Sequence, residues 1–211
     1  MGADGVRHPL FARFYTRVGG AMDEGGLEGH RAALLGALHG DVAEVGCGHG
    51  LNFQHYPRAV TSVTAVEPEP YLRRAARERA ERVEAPITVV DGLADALPLA
   101  DASVDAVVVT LVLCSVPDQA RALREARRVL RPGGRLCFLE HVRAPTPGLR
   151  RVQRLLDATI GPRLLGGCHS GRDTLAAIAS AGFTPGPVER FLFPAARTPV
   201  SFHVRGEARP S

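Results

Sequence analysis

The stretch "SVDAVVVTLVL", residues 103–113, is an almost unbroken apolar run of strand length. It has no apolar–polar alternation, so it cannot keep one wet face, and it fits a strand covered on both sides of a parallel sheet. Parallel neighbours need long crossover connections, usually helices, and the flanking sequence supplies them. "DVAEVG", "VTSVTAVE", "PITVVDG" and "RLCFLEHV" read as four further strands. "EPYLRRAARERAERVE" reads as a polar helix with its apolar residues on one side, and "DQARALREARRVLRPGG" as a helix with a Pro-Gly-Gly stop. Strands alternating with helices predict a doubly wound α/β fold.

After residue 142 this rhythm breaks. Residues 149–165 read as helical and "RDTLAAIASAGF" as a helix ending at Gly182. "PVERFLF" and "PVSFHVR" read as two strands, a pair that would close the sheet with one antiparallel edge. At the other end, residues 8–38 read as two helical stretches around the break "GGAMDEGGLEGH". Repeats, low-complexity segments and linkers are absent from the sequence. A single domain over residues 1–211 is expected: a helical cap (1–39), a core (40–142), then substrate-side helices and closing strands (143–211).

A length of 211 residues suffices for one good core, and 45% hydrophobic content argues against disorder. No apolar run approaches the roughly 18 residues of a membrane span. "MGADGVRHPLFARF" lacks a signal-peptide apolar region, and Val6 breaks the myristoylation pattern. The chain reads as soluble and cytoplasmic. Its net charge is +4, and every basic residue is arginine. That points to codon usage rather than to nucleic acid, and "YLRRAARERAERVE" alternates the arginines with glutamates as a solvated helix face does. Cys47, Cys114, Cys137 and Cys168 form no C-x-x-C pair, are expected reduced, and lack metal-ligand spacing. Cys168 beside His169 in "GGCHSG" falls two ligands short of a site, so no metal is expected.

The first strand leads into "EVGCGHG", with Gly46, Gly48 and Gly50 at every second position. In open α/β sheets ligands bind at the carboxyl ends of the strands, and dinucleotide enzymes carry G-x-G-x-x-G there. The third glycine of that pattern would fall at Leu51. The tighter G-x-G-x-G series lets backbone pass close to a ligand lying flat across the turn, with no phosphate to cradle. After the second strand stands Glu67, in "AVEPE". A carboxylate there can accept both ribose hydroxyls. Its alternative role is to start the next helix, where the dipole favours acids.

"EVGCGHG" with Glu67, "DGLADALPLADASVDAVV" and "EARRVLRPGGRLCFLEH" together resemble the class I S-adenosylmethionine-dependent methyltransferases, which implies a Rossmann-like sheet. The L-P-x-x-D-x-S-x-D segment is similar to the ubiquinone/menaquinone methyltransferase type. "TLVLCSVPD", "RRVLRPGG", "EHV" and "GCHSGRDT" resemble, in order, the mammalian microsomal methyltransferase-like family that methylates alkyl thiols. The membrane-anchoring helix of those proteins has no counterpart in this sequence, which fits a soluble relative. The resemblance implies S-adenosylmethionine as cofactor and S-adenosylhomocysteine as product. It places Glu44, Gly46, Cys47, Gly48 and Gly50 around the methionine part, with Tyr15 and Asn52 also among the cofactor-binding residues. Glu67 would take the ribose with Pro68 beside it, Gly92, Leu93 and Ala94 would wrap the adenine, and Thr110, Leu111 and Cys114 would line the floor. Many relatives carry Asp where this chain has Leu93; the adenine would then be held by main chain and apolar contact, or by Asp91 or Asp95.

Methyl transfer from a sulfonium is an in-line displacement in which the protein supplies orientation and desolvation. A thiol, with pKa about 8.5, is already a few per cent thiolate and needs no strong base, whereas a phenol or alcohol does. The candidate catalytic groups are His141 after the fifth strand, and His169 and Arg172 in "GCHSGRDT". Ser170 or Asp173 would cap the following helix, and Asp157 reads as a surface acid. His49 could touch the cofactor carboxylate, and Tyr15 and His55 could contribute from the helical cap and the first helix. Cys114 reads as packing rather than as a nucleophile.

The expected function is methyl transfer to a small, largely apolar acceptor, a thiol first. The alternatives are O- or C-methylation of a phenolic, quinone-like or secondary-metabolite acceptor, or non-catalytic cofactor binding that regulates a partner. Leu51 argues against a nicotinamide enzyme. A nucleic-acid methyltransferase would carry an Asn/Asp-Pro-Pro-Tyr type segment where "TLVLCSVP" stands. No nucleic-acid partner is expected, and the chain should act as a monomer or homodimer.

Overall fold

The computed structural model describes residues 9–159, 162 and 167–211. Five strands, β1 (Gly40–Val45), β2 (Val60–Val66), β3 (Ile87–Val90), β4 (Val104–Thr110) and β5 (Leu130–His141), run parallel. The sheet is completed by β6 (Phe183–Leu192) and β7 (Phe202–Pro210), in the order β3-β2-β1-β4-β5-β7-β6. The reversed strand is β7, which lies one place in from the edge, between β5 and β6. Chain order along the sheet reverses between β1 and β4. In doubly wound sheets the carboxyl ends of the strands at such a switch point are where ligands bind.

The apolar run of β4 is explained by its two faces. Val107 and Val109 pack with Leu123, Ala126 and Val129 of α4 (Gln119–Val129) and with Ile178 of α6 (Thr174–Ser180). Ala106 and Val108 belong to the opposite layer, with Leu34 and Leu35 of α2 (Glu28–Leu35) and Ala76 of α3 (Pro70–Ala80). The remaining helices are α1 (Pro9–Met22) and α5 (Pro147–Asp157). None of the helices among the described residues is long and apolar enough to cross a membrane.

Two boundaries differ from those expected. The last helical residue of α4 is Val129, and β5 begins at once at Leu130. Between the partners Val104↔Leu130 and Ala106↔Arg135 the register shifts, so "RPGG" loops out of the strand. Arg131 on that loop bridges Asp105 (2.8 Å) and Asp41 (2.9 Å), tying the amino ends of β4 and β1. The glycine-rich break in the cap is a π-turn over Asp23–Leu27, in which Gly26 adopts φ +123°.

Leu123 is fully buried, whereas Leu155 on α5 is 66% exposed. Leu123→Ala should therefore cost on the order of 2–5 kcal/mol, and Leu155→Ala no more than about 0.5 kcal/mol. Urea unfolding followed by circular dichroism measures both; equal losses would contradict this layer assignment.

Candidate functional site

The glycine turn is fixed by main-chain bonds to β2. Gly46 and Cys47 donate their N–H groups to Val66 O at 2.8 and 3.1 Å, and Gly48 N–H reaches Glu67 Oε2 at 2.8 Å. All three glycines have positive φ, between 58° and 83°. Two of them also answer to neighbours within the chain. A Cβ on Gly46 would lie 2.7 Å from Val112 Cγ2, and one on Gly50 would lie 2.6 Å from the Phe53 ring. Packing within the chain is thus reason enough for glycine at these two places.

Glu67 is buried, and each of its oxygens takes one main-chain N–H: Oε2 from Gly48 and Oε1 from Glu69 (2.9 Å). The helix-starting role belongs instead to Glu69, whose Oε2 accepts Leu72 N–H at 2.8 Å and caps α3. Each Glu67 oxygen keeps a lone pair for another donor. Burial pushes this carboxyl up to about 7, against the two N–H bonds that lower it. Pro68 follows, with its carbonyl accepting from Arg73 Nη1 at 3.0 Å.

Glu44 lies in a buried polar network that sequence reasoning missed. Tyr56 OH donates to its Oε2 at 2.7 Å, and Asn52 Nδ2 to its Oε1 at 3.1 Å. The same amide nitrogen reaches Thr110 Oγ1 at 3.0 Å, while Asn52 Oδ1 accepts from Arg31 Nη1 at 3.0 Å. Arg31 in turn pairs with Asp23 at 2.8 Å. The chain of contacts therefore runs from the cap, through the glycine turn, to the ends of β1 and β4. Burial also pushes Glu44 up to about 7.

Beyond β3, a Cβ on Gly92 would meet Pro98 and Val66, and Leu93 bridges to Ala96 in a tight turn with Ala94 inside it. Asp91 and Asp95, the alternative adenine partners, are paired with Arg73 (3.0 Å) and Arg121 (3.7 Å). Cys47 is buried and its thiol is pushed up by burial and by Glu44, so it is no reactive group. His49 is wedged beneath α1, where a Cβ on Gly19 would lie 2.8 Å from its Cε1. Burial lowers its pKa to about 4. His55 lies in the short 3-10 turn Phe53–His55, its ring 3.2 Å from Gln54. Tyr15 falls on α1, and its side chain lies outside the described residues.

The turn after β4 is held by Glu140, a residue that sequence reasoning passed over. Its Oε1 accepts the N–H groups of Val112 (2.8 Å) and Leu113 (2.9 Å), and its Oε2 that of Cys114 (3.2 Å). Leu111 enters this turn with φ +58°, an uncommon value for a side chain of that size. The available signal was an acid in the apolar run "LCFLEH" of a strand covered on both faces, where an unpaired charge is not tolerated.

The segment 167–172 is stitched onto the same turn. His169 N–H donates to Cys114 O at 2.8 Å, and Arg172 Nη1 donates to Leu113 O (2.8 Å) and Val116 O (2.6 Å). Arg172 therefore holds the loop through its carbonyls. Asp157, expected at the surface, instead accepts the N–H groups of Ser170 (3.0 Å) and Gly171 (2.9 Å). Of the two candidate caps for α6, Asp173 serves, accepting Ala176 N–H at 3.3 Å. Gln153, fully buried on α5, bonds the main chain at Ala144, Ser170 and Pro199.

His169 Nδ1 lies 2.7 Å from Gly167 O. A carbonyl can only accept, so Nδ1 carries the proton and Nε2 the lone pair. His141 points elsewhere. Its Nδ1 is 3.3 Å from Cys168 Sγ, and its ring packs on His203 at 4.2 Å. Cys114, Cys168 and His141 thereby gather their donor atoms within 4.8 Å of one another, although the sequence separates them widely. Hydrogen bonds from Cys114 and His141 pull the Cys168 thiol down, while the Cys114 thiol is pushed up by Cys168 and by burial.

Residues 43–138 match a family model described as a methyltransferase domain. The chain is 41% identical over 180 residues to mouse thiol S-methyltransferase TMT1B, covering 82% of this chain and 73% of that protein. It is also 41% identical over 105 residues to the ubiquinone/menaquinone biosynthesis C-methyltransferase UbiE of Methylobacterium nodulans, covering 49% and 42%. Among solved structures, an S-adenosylmethionine-dependent methyltransferase of Thermotoga maritima aligns with a TM-score of 0.65 at 23% identity, covering 96% of this chain and 98% of that one. Identity at the level of the mouse enzyme, over most of both chains and on this sheet order, makes the chain a member of the class I S-adenosylmethionine-dependent methyltransferases.

Proposed function

We propose that the chain binds S-adenosylmethionine at the carboxyl ends of the strands beside the switch point and transfers its methyl group to a small, largely apolar acceptor, a thiol in the first instance. The observation that carries the cofactor reading is Glu67. Its two oxygens are preset by Gly48 and Glu69 N–H groups, with a lone pair on each left for the two ribose hydroxyls. Buried carboxylates at Glu44, Glu67 and Glu140 also suit a cationic ligand, since each is pushed to about 7 by burial and a nearby positive charge favours the ionised form. Gly46, Cys47, Gly48 and Gly50 would border the methionine part, with Asn52 and Thr110 behind. Gly92, Leu93 and Ala94 would border the adenine through main chain and apolar surface, since Asp91 and Asp95 are engaged with arginines.

Bound there, the sulfonium would supply an electrophilic methyl group. The protein's part is to orient and to exclude water. Glu140 and Arg172 fix the path of residues 111–116 at the floor of that site. The Nε2 lone pair of His169 is the group available to hold a proton from an acceptor. A thiol makes little demand on such a base, and the mouse relative's name specifies a thiol acceptor. No membrane-spanning helix and no nucleic-acid-reading motif enters this proposal.

Glu67→Ala should weaken S-adenosylmethionine binding by about 1–3 kcal/mol, the range for a hydrogen bond to a charged group, measured by titration calorimetry. Unchanged affinity would move the ribose elsewhere. The ligand's hydroxyls prefer the carboxylate, whose pKa in the free protein is about 7. Affinity should therefore be full above that value and fall as pH drops from 7 to 5. Glu67→Gln should flatten the fall, and an equal slope in that variant would assign it to another group. With labelled cofactor and a panel of thiols, phenols and quinols, label is expected in thioethers; label in O- or C-methyl products alone would reject the thiol reading.

A further inference from the structure

Three segments far apart in sequence, "TLVLCSVPD", "EHV" and "GCHSGRDT", each send one donor atom to the same point. Cys114 and Cys168 are buried, and the Cys168 Sγ to His141 Nδ1 distance is 3.3 Å. A tetrahedral zinc ion, with Zn–S about 2.3 Å and Zn–N about 2.0–2.1 Å, holds sulfur and nitrogen about 3.6 Å apart and two sulfurs about 3.8 Å apart. The observed triangle, with every pair of donor atoms inside 4.8 Å, needs only small side-chain adjustments to meet that geometry.

The backbone under the triangle is already fixed. Cys114 donates its N–H to Glu140 and accepts His169 N–H, and Asp157 holds Ser170 and Gly171 just beyond Cys168. The His141 ring packs on the His203 ring at 4.2 Å, a contact that restrains its orientation. Two thiolates and an imidazole form a soft-to-borderline donor set, suited to zinc rather than to magnesium or calcium.

We propose that Cys114, His141 and Cys168 form a three-ligand site for zinc, with the fourth coordination place open to water or an external thiolate. Three protein ligands with one open place is the arrangement of reactive rather than purely structural zinc sites. Binding would release the remaining thiol protons to solvent, because thiolates are the ligands. It would also pin residues 111–116 to residues 167–172 through metal bonds. Cys114 belongs to the floor that the methyl-transfer reading invokes, but the zinc site is argued without that reading, and its test does not use activity.

The full chain, purified under reduction from zinc-supplemented medium, should retain about one zinc per chain by elemental analysis, the stoichiometry of a single three-ligand site. Cobalt exchanged into it should give the intense visible bands of tetrahedral cobalt and a thiolate-to-cobalt charge-transfer band. Cys168→Ser and Cys114→Ser should each lose the charge-transfer band, while Cys137→Ala, which removes a thiol buried in the sheet, should keep it. If either serine variant fails to fold by circular dichroism, zinc-edge X-ray absorption on the wild-type protein decides, with two sulfurs and at least one nitrogen expected in the shell. No retained zinc and no cobalt band, a shell without sulfur, or a Cys114–Cys168 disulfide that persists under reduction and zinc, would each overturn the proposal.

Discussion

A carboxylate taken out of water costs several kcal/mol unless hydrogen bonds replace its hydration. This protein meets that cost at the carboxyl ends of three strands of one sheet. Glu44 at the end of β1 engages Tyr56 and Asn52, Glu67 after β2 engages Gly48 and Glu69, and Glu140 in β5 engages Val112, Leu113 and Cys114. In each case the acid holds the path of chain that leaves the sheet. The helices cover both faces of the sheet, so its carboxyl edge is where irregular backbone collects and where the polar groups of that backbone must be satisfied.

The N-terminal cap is tied into this arrangement by charge as well as by packing. Arg31 spans Asp23 on the cap and Asn52 in the glycine turn, and all three are buried. Breaking a buried pair by removing one partner leaves the other charge uncompensated, so the cap and the turn are fastened as one unit. His49, under α1, adds a steric contact to the same junction. That contact leaves no room for a side chain at position 19.

The sheet was legible in the sequence because its signals are local. Unbroken apolar runs, helix stops and strand spacing are all read over a few residues. The bulge in β5 and the placing of β7 inside the edge were not legible, since both depend on pairing between distant segments. The contact between the glycine turn and the acid after β2 followed from their places on adjacent strands. The way residues 167–172 are held did not. Arg172 and Asp157 carry their roles through backbone groups of other segments, and nothing in their own neighbours announces this. The nearness of the cysteines was not legible for the same reason: linear spacing separates Cys114 from Cys168, and folding brings both beside His141.

The way Glu140 grips its turn has a consequence for divergence among related chains. It binds main-chain N–H groups, which every residue except proline possesses. The side chains at 112 and 113 are thereby released from the task of shaping the loop; what limits their bulk is Gly46, pressed against Val112, and the core in which Leu113 is buried. Within those limits, chiefly at position 112, a lineage could rewrite the side chain and acquire new neighbours for it while the loop kept its course. The freedom is concentrated at one point: every such variant would still depend on the acid at position 140.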